Sequence, residues 1–282
     1  MRSSRIIFAG SLALLALVGL WLFGCSDDKP SSVVGTSVIH SEYETIQEIV
    51  DANVDSMLAL FNTGLEIIDL GNNSETEISA TDVLYSATRP DSVNVSGDWY
   101  LIYNTEGSLA LGYSNVLLDS IRFIQNGMFL DTPQDADAMN IRHYWTLNSL
   151  DTTVNYANYD VHGNFDFYGV DQETVSVTGY NNLQVNLKET TNDLSVRHQF
   201  AVENTFSNLV IENVEGDYNF GCPLSGTITV VVEMTYQLAE NVAEVTEWEF
   251  VYTFENGTAQ VQVTLGSDRE NYTCEFCQIN QQ

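Results

Sequence analysis

Residues 248–263 read WEFVYTFENGTAQVQV, and this stretch decides the fold class. Before Asn256 every second residue is aromatic. After Gly257 every second residue is Ala or Val, with Thr and Gln between them. Alternation with a period of two places the apolar side chains on one face of a strand. Asn-Gly between two such runs favours a two-residue turn, because both residues tolerate a positive φ. The stretch therefore predicts a β-hairpin with one buried face and one wet face.

The same period of two recurs from about residue 94 to the C-terminus. Apolar residues alternate over 99–103, 141–147, 183–187, 194–202 and 228–236, with turn signals at 104–107, 125–127, 162–164, 179–182 and 215–217. We count ten to twelve strands and no helical pattern after residue 71, which excludes parallel β-α-β architectures and their dinucleotide sites. The sequence predicts a mainly β protein with a large antiparallel sheet, either curved or forming an open barrel. A two-layer β-sandwich is the alternative, and residues 222–226 could mark a sub-boundary near 221.

One long N-terminal amphipathic helix is predicted over residues 41–70. Apolar residues recur at steps of three and four from Ile46 to Ile68, which is the spacing of one helix face. Ser41 and Glu44 have the spacing of a capping box at the helix start, and Gly71 is placed to end the helix. We expect the apolar stripe to dock on the sheet of the same domain, with association to a partner helix as the alternative.

The N-terminus has the pattern of an export signal. Arg2 and Arg5 precede an apolar run without charge over residues 6–23. A basic start, an apolar middle and a small residue before the cut are typical of secretory signal peptides. Leu-Phe-Gly-Cys at residues 22–25 resembles the lipobox of bacterial lipoproteins, although the family usually has a small or medium aliphatic residue in place of the Phe.

That resemblance implies that residues 1–24 are a signal peptide and that Cys25 carries the acyl chains, palmitate among them, at the mature N-terminus. Residues 25–40 would then be the lipidated cysteine and a flexible tether, because Ser, Gly and Thr without periodicity are typical of linkers. Residues 41–282 would form the helix-plus-sheet domain. The resemblance places the protein in the cell envelope, lipid-anchored on the periplasmic or outer-surface face of a bacterial membrane.

The composition is strongly acidic. The chain has 39 Asp and Glu against nine Lys and Arg, which gives a formal net charge of −30. So negative a surface argues against nucleic-acid partners and against docking of the domain face on anionic lipid. It fits solubility in a salty habitat, binding of divalent cations or recognition of basic partners. With 44% hydrophobic residues the chain has ample material for a core, so it is not a disordered acidic tail.

Three cysteines remain once Cys25 is assigned to lipid. Cys274 and Cys277 form a C-x-x-C, but a strand through both would point them to opposite faces, too far apart for a disulfide. A bridge would then join Cys222 to one of them, and we favour Cys274 because it shares a face with apolar residues. If the strand ended after Glu275, Cys274 could pair with Cys277 instead. A zinc site of three thiolates and a histidine is a further alternative, although half of its usual spacing is missing.

No catalytic motif is present, since the chain has no nucleophile elbow, zinc-protease helix motif, phosphate-binding loop or Ser-x-x-Lys. His143 and His198 fall on apolar strand faces and could ligate a metal if their strands were neighbours, although a core histidine is the more ordinary interpretation. Asp131, Asp135 and Asp137 are weak calcium candidates, because an oxygen-rich loop suits calcium but the EF-hand spacing is absent. We predict no cofactor and no enzymatic activity.

Two functions fit these features. The first is a non-enzymatic envelope lipoprotein that binds a lipid or another apolar small molecule between helix and sheet. The second is a structural or adhesive surface lipoprotein whose acidic loops bind cations or an envelope protein. In both, the membrane is contacted through the N-terminal lipid. A side-chain-filled core would count against the first function, and a ligand-sized cavity under the helix would count for it.

Overall fold

Twelve β-strands dominate the computed structural model. It describes residues 46–58 except 48 and 56, and residues 92–108, 113–130, 135–150, 155–191, 194–214, 219–239 and 241–276. The strands are β1 (Ser92–Ser96), β2 (Trp99–Ser108), β3 (Tyr113–Gln125), β4 (Met128–Leu130), β5 (Ala138–Ser149), β6 (Tyr156–Tyr168), β7 (Thr174–Thr191), β8 (Leu194–Val214), β9 (Asn219–Leu238), β10 (Glu244–Glu255), β11 (Thr258–Leu265) and β12 (Asp268–Glu275).

All twelve strands belong to one antiparallel sheet. Its order is β1-β2-β3-β5-β6-β7-β8-β9-β10-β11-β12, and β4 pairs only with β3. Each strand therefore lies beside its neighbours in sequence, as alternating runs joined by short turns predict. The order begins at β1 and ends at β12, and these two do not pair in the part of the chain described, so the sheet is not closed into a barrel. The mainly β, antiparallel prediction is confirmed, and the strands form one continuous sheet rather than the two sheets of a sandwich.

The hairpin predicted at Asn256-Gly257 is present. Glu255 and Thr258 are the last paired residues of β10 and β11, and Asn256 and Gly257 have φ values of 49° and 82°. Two successive positive φ values are the requirement of the turn type that matches strand twist. The predicted turn at Asn126-Gly127 forms the corresponding link between β3 and β4.

Three other predicted turns are wrong. The first, at residues 104–107, lies inside β2. Residues 162–164 lie inside β6, and residues 179–182 lie inside β7. Gly163 and Gly179 led to the last two predictions, because glycine usually marks a turn or a break between strands. In the structure each of them faces a close neighbour in the middle of a strand, where a side chain would not fit. His162, predicted in a turn, is an exposed residue of β6.

One face of the sheet is apolar and buried. In β10 the aromatic residues Trp248, Phe250, Tyr252 and Phe254 are buried, while Glu247, Glu249, Thr253 and Glu255 are exposed. Most of the buried apolar residues of the sheet, together with those of the helical segment, form one hydrophobic cluster. This one-sided pattern is what the period of two predicts for antiparallel sheet.

The described residues between 46 and 58 are helical, and we call them the N-terminal helical segment. Ile46, Val50, Val54 and Met57 are buried, and the long helix over residues 41–70 stays a prediction. The remainder of the predicted helix, the signal peptide, Cys25 and the tether lie outside the described residues. Among those residues, no helix has the length and apolar character needed to cross a membrane.

The sheet continues through the sub-boundary considered near residue 221. β9 begins at Asn219 and pairs with β8 on both sides of that point, through Asn213↔Phe220 and Val210↔Ser225. The register shifts there are β-bulges, which bend a strand without ending it.

Candidate functional site

Cross-strand register divides the buried face into rows that run across the strands. One row, which we call the apolar row, crosses every strand from β2 to β12 except β4. Its members pair directly from strand to strand, and all of them are buried except Gly179, which has no side chain: Tyr100, Ile121, Ile141, Phe165, Gly179, Phe206, Ile228, Tyr252, Val261 and Tyr272. Aliphatic and aromatic residues in direct register are the pairs that stabilise a sheet face.

The next row on the same face is different. It lies two residues further along each strand than the apolar row. Its members pair directly from strand to strand, and we call them the polar row: Asp119, His143, Gly163, Asn181 and Asn204. The four side chains are 7%, 3%, 3% and 0% exposed in that order. Beyond β8 the row becomes apolar again, with Val230, Phe250 and Val263. The polar row is therefore a local feature of β3, β5, β6, β7 and β8.

Asp119 and His143 form a hydrogen-bonded pair at one end of the polar row. The His143 Nδ1 lies 2.6 Å from the Asp119 Oδ1, and both side chains are buried. A buried carboxylate needs such a donor, because an ionised group without a partner is costly to remove from water. The contact fixes the orientation of the imidazole ring.

Asn181 and Asn204 lie at the other end, opposite each other on β7 and β8. The Asn204 Nδ2 donates to the backbone oxygen of Asn181 at 2.9 Å, and the Asn181 Nδ2 donates to the Met57 Sδ of the helical segment at 3.1 Å. Both amide nitrogens therefore have acceptors. The two Oδ1 atoms accept no hydrogen bond from any residue that the structure describes.

The absence of a side chain at Gly163 makes room for the Asn181 amide. A Cβ at residue 163 would lie 2.9 Å from the Asn181 Oδ1 and 2.9 Å from the Phe165 Cε2, which is closer than real Cβ atoms approach such neighbours. The missing side chain on β6 thus leaves the space that the amide oxygen and the edge of the Phe165 ring occupy.

A second polar contact joins the helical segment to the far end of the apolar row. Tyr252 and Tyr272, two strands apart, both donate their hydroxyls to the Asp51 Oδ1, at 2.5 and 2.6 Å. Burial, and next the negative charge of Asp51, raise the pKa of the Tyr252 hydroxyl well above its ordinary value, so it remains a donor. We call these three residues the tyrosine–aspartate cluster.

Asp55 lies one helical turn after Asp51 and is partly buried. Burial raises the pKa of its carboxyl from 3.8 to about 6, because removal from water disfavours the charged form. The helical segment thus brings two carboxyl groups toward the sheet, of which Asp51 has two phenol donors.

The predicted histidine pair does not form. His143 is in β5 and His198 is in β8, with β6 and β7 between them in the sheet. His198 packs against the rings of Phe200 and Tyr236 instead. Among the described residues, no group of three or more His, Cys, Asp or Glu could hold a metal ion.

The calcium candidates fall on a loop that is described in part. Asp137 accepts a hydrogen bond from the backbone N–H of Asn126 at 2.7 Å and so supports the turn between β3 and β4. Asp135 is exposed, with a φ of 68°. Asp131 lies outside the described residues, so the calcium site stays a prediction.

Cys222 of β9 and Cys274 of β12 both lie near the turn between β10 and β11. The backbone N–H of Gly257 donates to the Pro223 oxygen at 2.7 Å, and Cys274 pairs with Ala259 just beyond that turn. Cys274 is buried, as its predicted face requires. Neither cysteine is a free thiol. Cys277 lies outside the described residues, and the pairing of Cys222 with Cys274 stays a prediction.

The sequence analysis found only His143 of the polar row. Asp119, Asn181 and Asn204 each stand at a position where the alternation of the strand predicts an apolar residue. The residues two positions before and after each of them are apolar or glycine: Leu117 and Ile121, Gly179 and Leu183, Val202 and Phe206. A polar residue that interrupts an alternating apolar run is a detectable signal, because it predicts a buried polar group.

Comparison with known proteins adds no relative. The chain matches no family model, no curated protein and no solved structure. The function has to be inferred from the geometry of its own residues.

Proposed function

We propose that this protein is a non-enzymatic cell-envelope lipoprotein that binds a lipid or another apolar small molecule between the N-terminal helical segment and the sheet. The membrane would be contacted through acyl chains on Cys25. The support for that anchor is the Leu-Phe-Gly-Cys stretch at residues 22–25 and the basic and apolar segments before it.

The single observation that carries the binding proposal is the polar row within the apolar face. Small-molecule sites are mostly apolar and contain a few polar groups that orient the ligand. Here the apolar row lies on one side of the polar row, and Leu117, Val161, Val202 and Trp248 belong to a further apolar row on the other. The polar row contains two buried amide oxygens that lack donors among the described residues, and a buried acceptor of this kind is a place where a ligand can supply the donor.

The width of the buried face supports a sheet curved around the helical segment. Ten strands about 4.8 Å apart span roughly 45 Å, whereas a helix with its side chains is about 10 Å wide. The described helix contacts reach β7 through Met57 and both β10 and β12 through Asp51. For Tyr252 and Tyr272 to reach one oxygen from strands two apart, their rings must converge over the residue between them, as on a concave surface.

The helical segment would be the cover of this site. Its described hydrogen bonds to the sheet are polar, with a thioether and a carboxylate as acceptors. Ile46, Val50, Val54 and Met57 also pack in the core cluster, so the segment covers the buried face through polar and apolar contacts together.

Native mass spectrometry of the mature chain, purified after export to a bacterial periplasm, tests the proposal. We expect a population heavier than the polypeptide by the mass of a lipid or another apolar molecule, which an organic solvent extracts. A bare mass after gentle purification, together with no binding of added C16 amphiphiles, would contradict it. In a separate test of the anchor, Cys25→Ser should move the full-length product from the membrane fraction to the soluble fraction.

The acidic outer face favours a second candidate, the surface scaffold or adhesin. Glu247, Glu249 and Glu255 of β10 are exposed on the side opposite the polar row. For this function we expect a bare mass in the same experiment and calcium-dependent or partner-dependent retention on a column of basic peptide. A bound lipid with no such retention would count against it.

A further inference from the structure

We infer that the polar row holds the head of an amphiphile that carries at least two hydrogen-bond donors, and that the Asn181 and Asn204 Oδ1 atoms accept them. This inference rests on the proposed function and adds the chemical class of the ligand. An uncharged primary amide, a diol or an amine at the end of a long apolar chain would have the required head.

The hydrogen-bond directions around the two amides select donors on the ligand. Each Nδ2 has its acceptor, the Asn181 backbone oxygen or the Met57 Sδ, so each side chain presents an oxygen to the buried face. Asn181 is 3% exposed and Asn204 is fully buried, and neither Oδ1 receives a hydrogen bond from the described residues. A buried acceptor without a donor is destabilising, and a ligand that supplies a donor removes this penalty.

The two asparagines are close enough to contact one head group. Asn181 and Asn204 are direct partners on neighbouring strands, and side chains in that relation stand about 5 Å apart at Cβ on the same face. At the far end of the row, the Asp119 carboxylate already accepts from His143. The polar row therefore offers acceptors to the ligand at the asparagine end and a carboxyl–imidazole pair already in contact with each other at the other end.

The surroundings require the rest of the ligand to be apolar. Phe165 and Phe206 lie one row away from the two asparagines, edge to face with ring centroids 5.2 Å apart. Leu183 and Val202 lie one row away on the other side. A hydrated polar chain would lose its water there without replacement, whereas an alkyl chain gains from burial.

Two amides of equal chain length make the sharpest probe. Hexadecanamide has two N–H donors, and N,N-dimethylhexadecanamide has the same chain and carbonyl but no donor. The full-length chain in lipid nanodiscs would be photolabelled with diazirine analogues of both, and the label would be mapped to peptides. We expect about ten-fold more labelling of β6, β7 and β8 by the primary amide than by the dimethyl amide, since each hydrogen bond contributes a factor of about 2 to 12.

Substitution assigns the preference to the two oxygens. Asn181→Leu with Asn204→Leu should reduce the ten-fold preference to about one while labelling by the dimethyl amide persists, and each single variant should reduce it in part. Asn182→Leu is the matched control, because residue 182 is the neighbour on the opposite face and should leave the preference unchanged. Thermal melts of all variants verify the fold, and the single variants serve if the double variant does not fold.

The outcomes separate the two proposals. Equal labelling by both amides, or a preference that survives the double substitution, would overturn the inference about the polar row and leave apolar ligand binding in place. If neither amide labels the sheet above empty-disc background, apolar binding itself fails, and the inference fails with it.

Discussion

The apolar row and the polar row lie side by side on one face of one sheet, yet they are built from opposite side chains. The apolar row has hydrocarbon or aromatic groups in direct register from β2 to β12. The polar row places a carboxylate, an imidazole and two amides at the same depth. Folding is driven by the first arrangement and opposed by the second, because each buried polar atom loses its water. We therefore expect the apolar row to maintain the fold, whereas the polar row has a use only under the proposed binding function.

Truncation in the apolar row should give the largest effect. Phe165 is fully buried and stands edge to face with Phe206. We expect Phe165→Ala to lower the free energy of unfolding by about 3–5 kcal/mol, through lost burial and the cavity left behind. Urea unfolding followed by tryptophan fluorescence measures the loss, with the m-value as a check on two-state behaviour. A loss below about 1 kcal/mol would mean that the apolar row is not the core.

The next largest difference in stability is expected between Gly179 and Gly163, the glycines that lie in the middle of a strand in the apolar row and the polar row. A Cβ at Gly179, in the apolar row, would lie 2.2 Å from the Asn164 backbone oxygen, and the residue has a φ of 150°. A Cβ at Gly163, in the polar row, would meet side-chain atoms at 2.9 Å. We expect Gly179→Ala to be destabilising by about 3 kcal/mol and Gly163→Ala by about 1 kcal/mol, because side chains move more easily than backbone. Thermal unfolding of both variants measures this order, and the reverse order would contradict it.

The same glycines show why the sequence predicted the fold better than the site. The alternation of residues 248–263 and its Asn-Gly turn specify a hairpin locally, and repeated alternation specifies an antiparallel sheet. Gly163 and Gly179 were interpreted as turns because their local signal is that of a break. Whether a glycine ends a strand or makes room for a neighbour depends on the residue across the sheet, and that partner is set by register.

Register also explains why the polar row could not be assembled from sequence. Asp119, His143 and Asn181 are far apart along the chain and become neighbours only through three strand pairings. A shift of one residue in any pairing would place the next strand's polar side chain on the opposite face. The turns predicted inside β6 and β7 interrupted both strands. In the sheet these two strands lie between the strand of His143 and the strand of Asn204.

The tyrosine–aspartate cluster gives a smaller effect. Tyr272→Phe removes one donor from the buried Asp51 carboxylate, and a hydrogen bond to a charged group contributes about 1.5–3 kcal/mol. We expect a loss of about 2 kcal/mol in chemical unfolding and faster proteolysis within residues 46–58. Tyr180→Phe is the matched control, because Tyr180 is exposed on the other face and its change should be close to zero. Equal effects from the two variants would argue that the cluster does not hold the helical segment.

Asp55 should give an effect that depends on pH. Its pKa is raised to about 6, so between about pH 4 and pH 6 the folded protein binds the proton more tightly than the unfolded chain, and the contribution of Asp55 to stability falls as pH rises. The full shift corresponds to about 3 kcal/mol, which solvent screening of this partly exposed group reduces to about 1 kcal/mol. Asp55→Asn should therefore be more stable than the parent by about 1 kcal/mol at pH 7 and equal to it near pH 4. A difference that does not change with pH would contradict this.

Asn181→Leu should give the smallest effect on stability and tests the comparison most directly. The substitution removes a buried oxygen that has no donor among the described residues, together with the hydrogen bond to Met57, and leaves a side chain of similar size. Replacing a partly satisfied polar group by an apolar one of the same shape is close to neutral, so we expect a change between zero and a gain of about 1 kcal/mol in urea unfolding. A loss above about 2 kcal/mol would show that the amide is part of the core architecture, as Phe165 is. A neutral or stabilising result would mean that folding does not need Asn181. Such a residue is expected where ligand binding requires a polar group that does not contribute to folding.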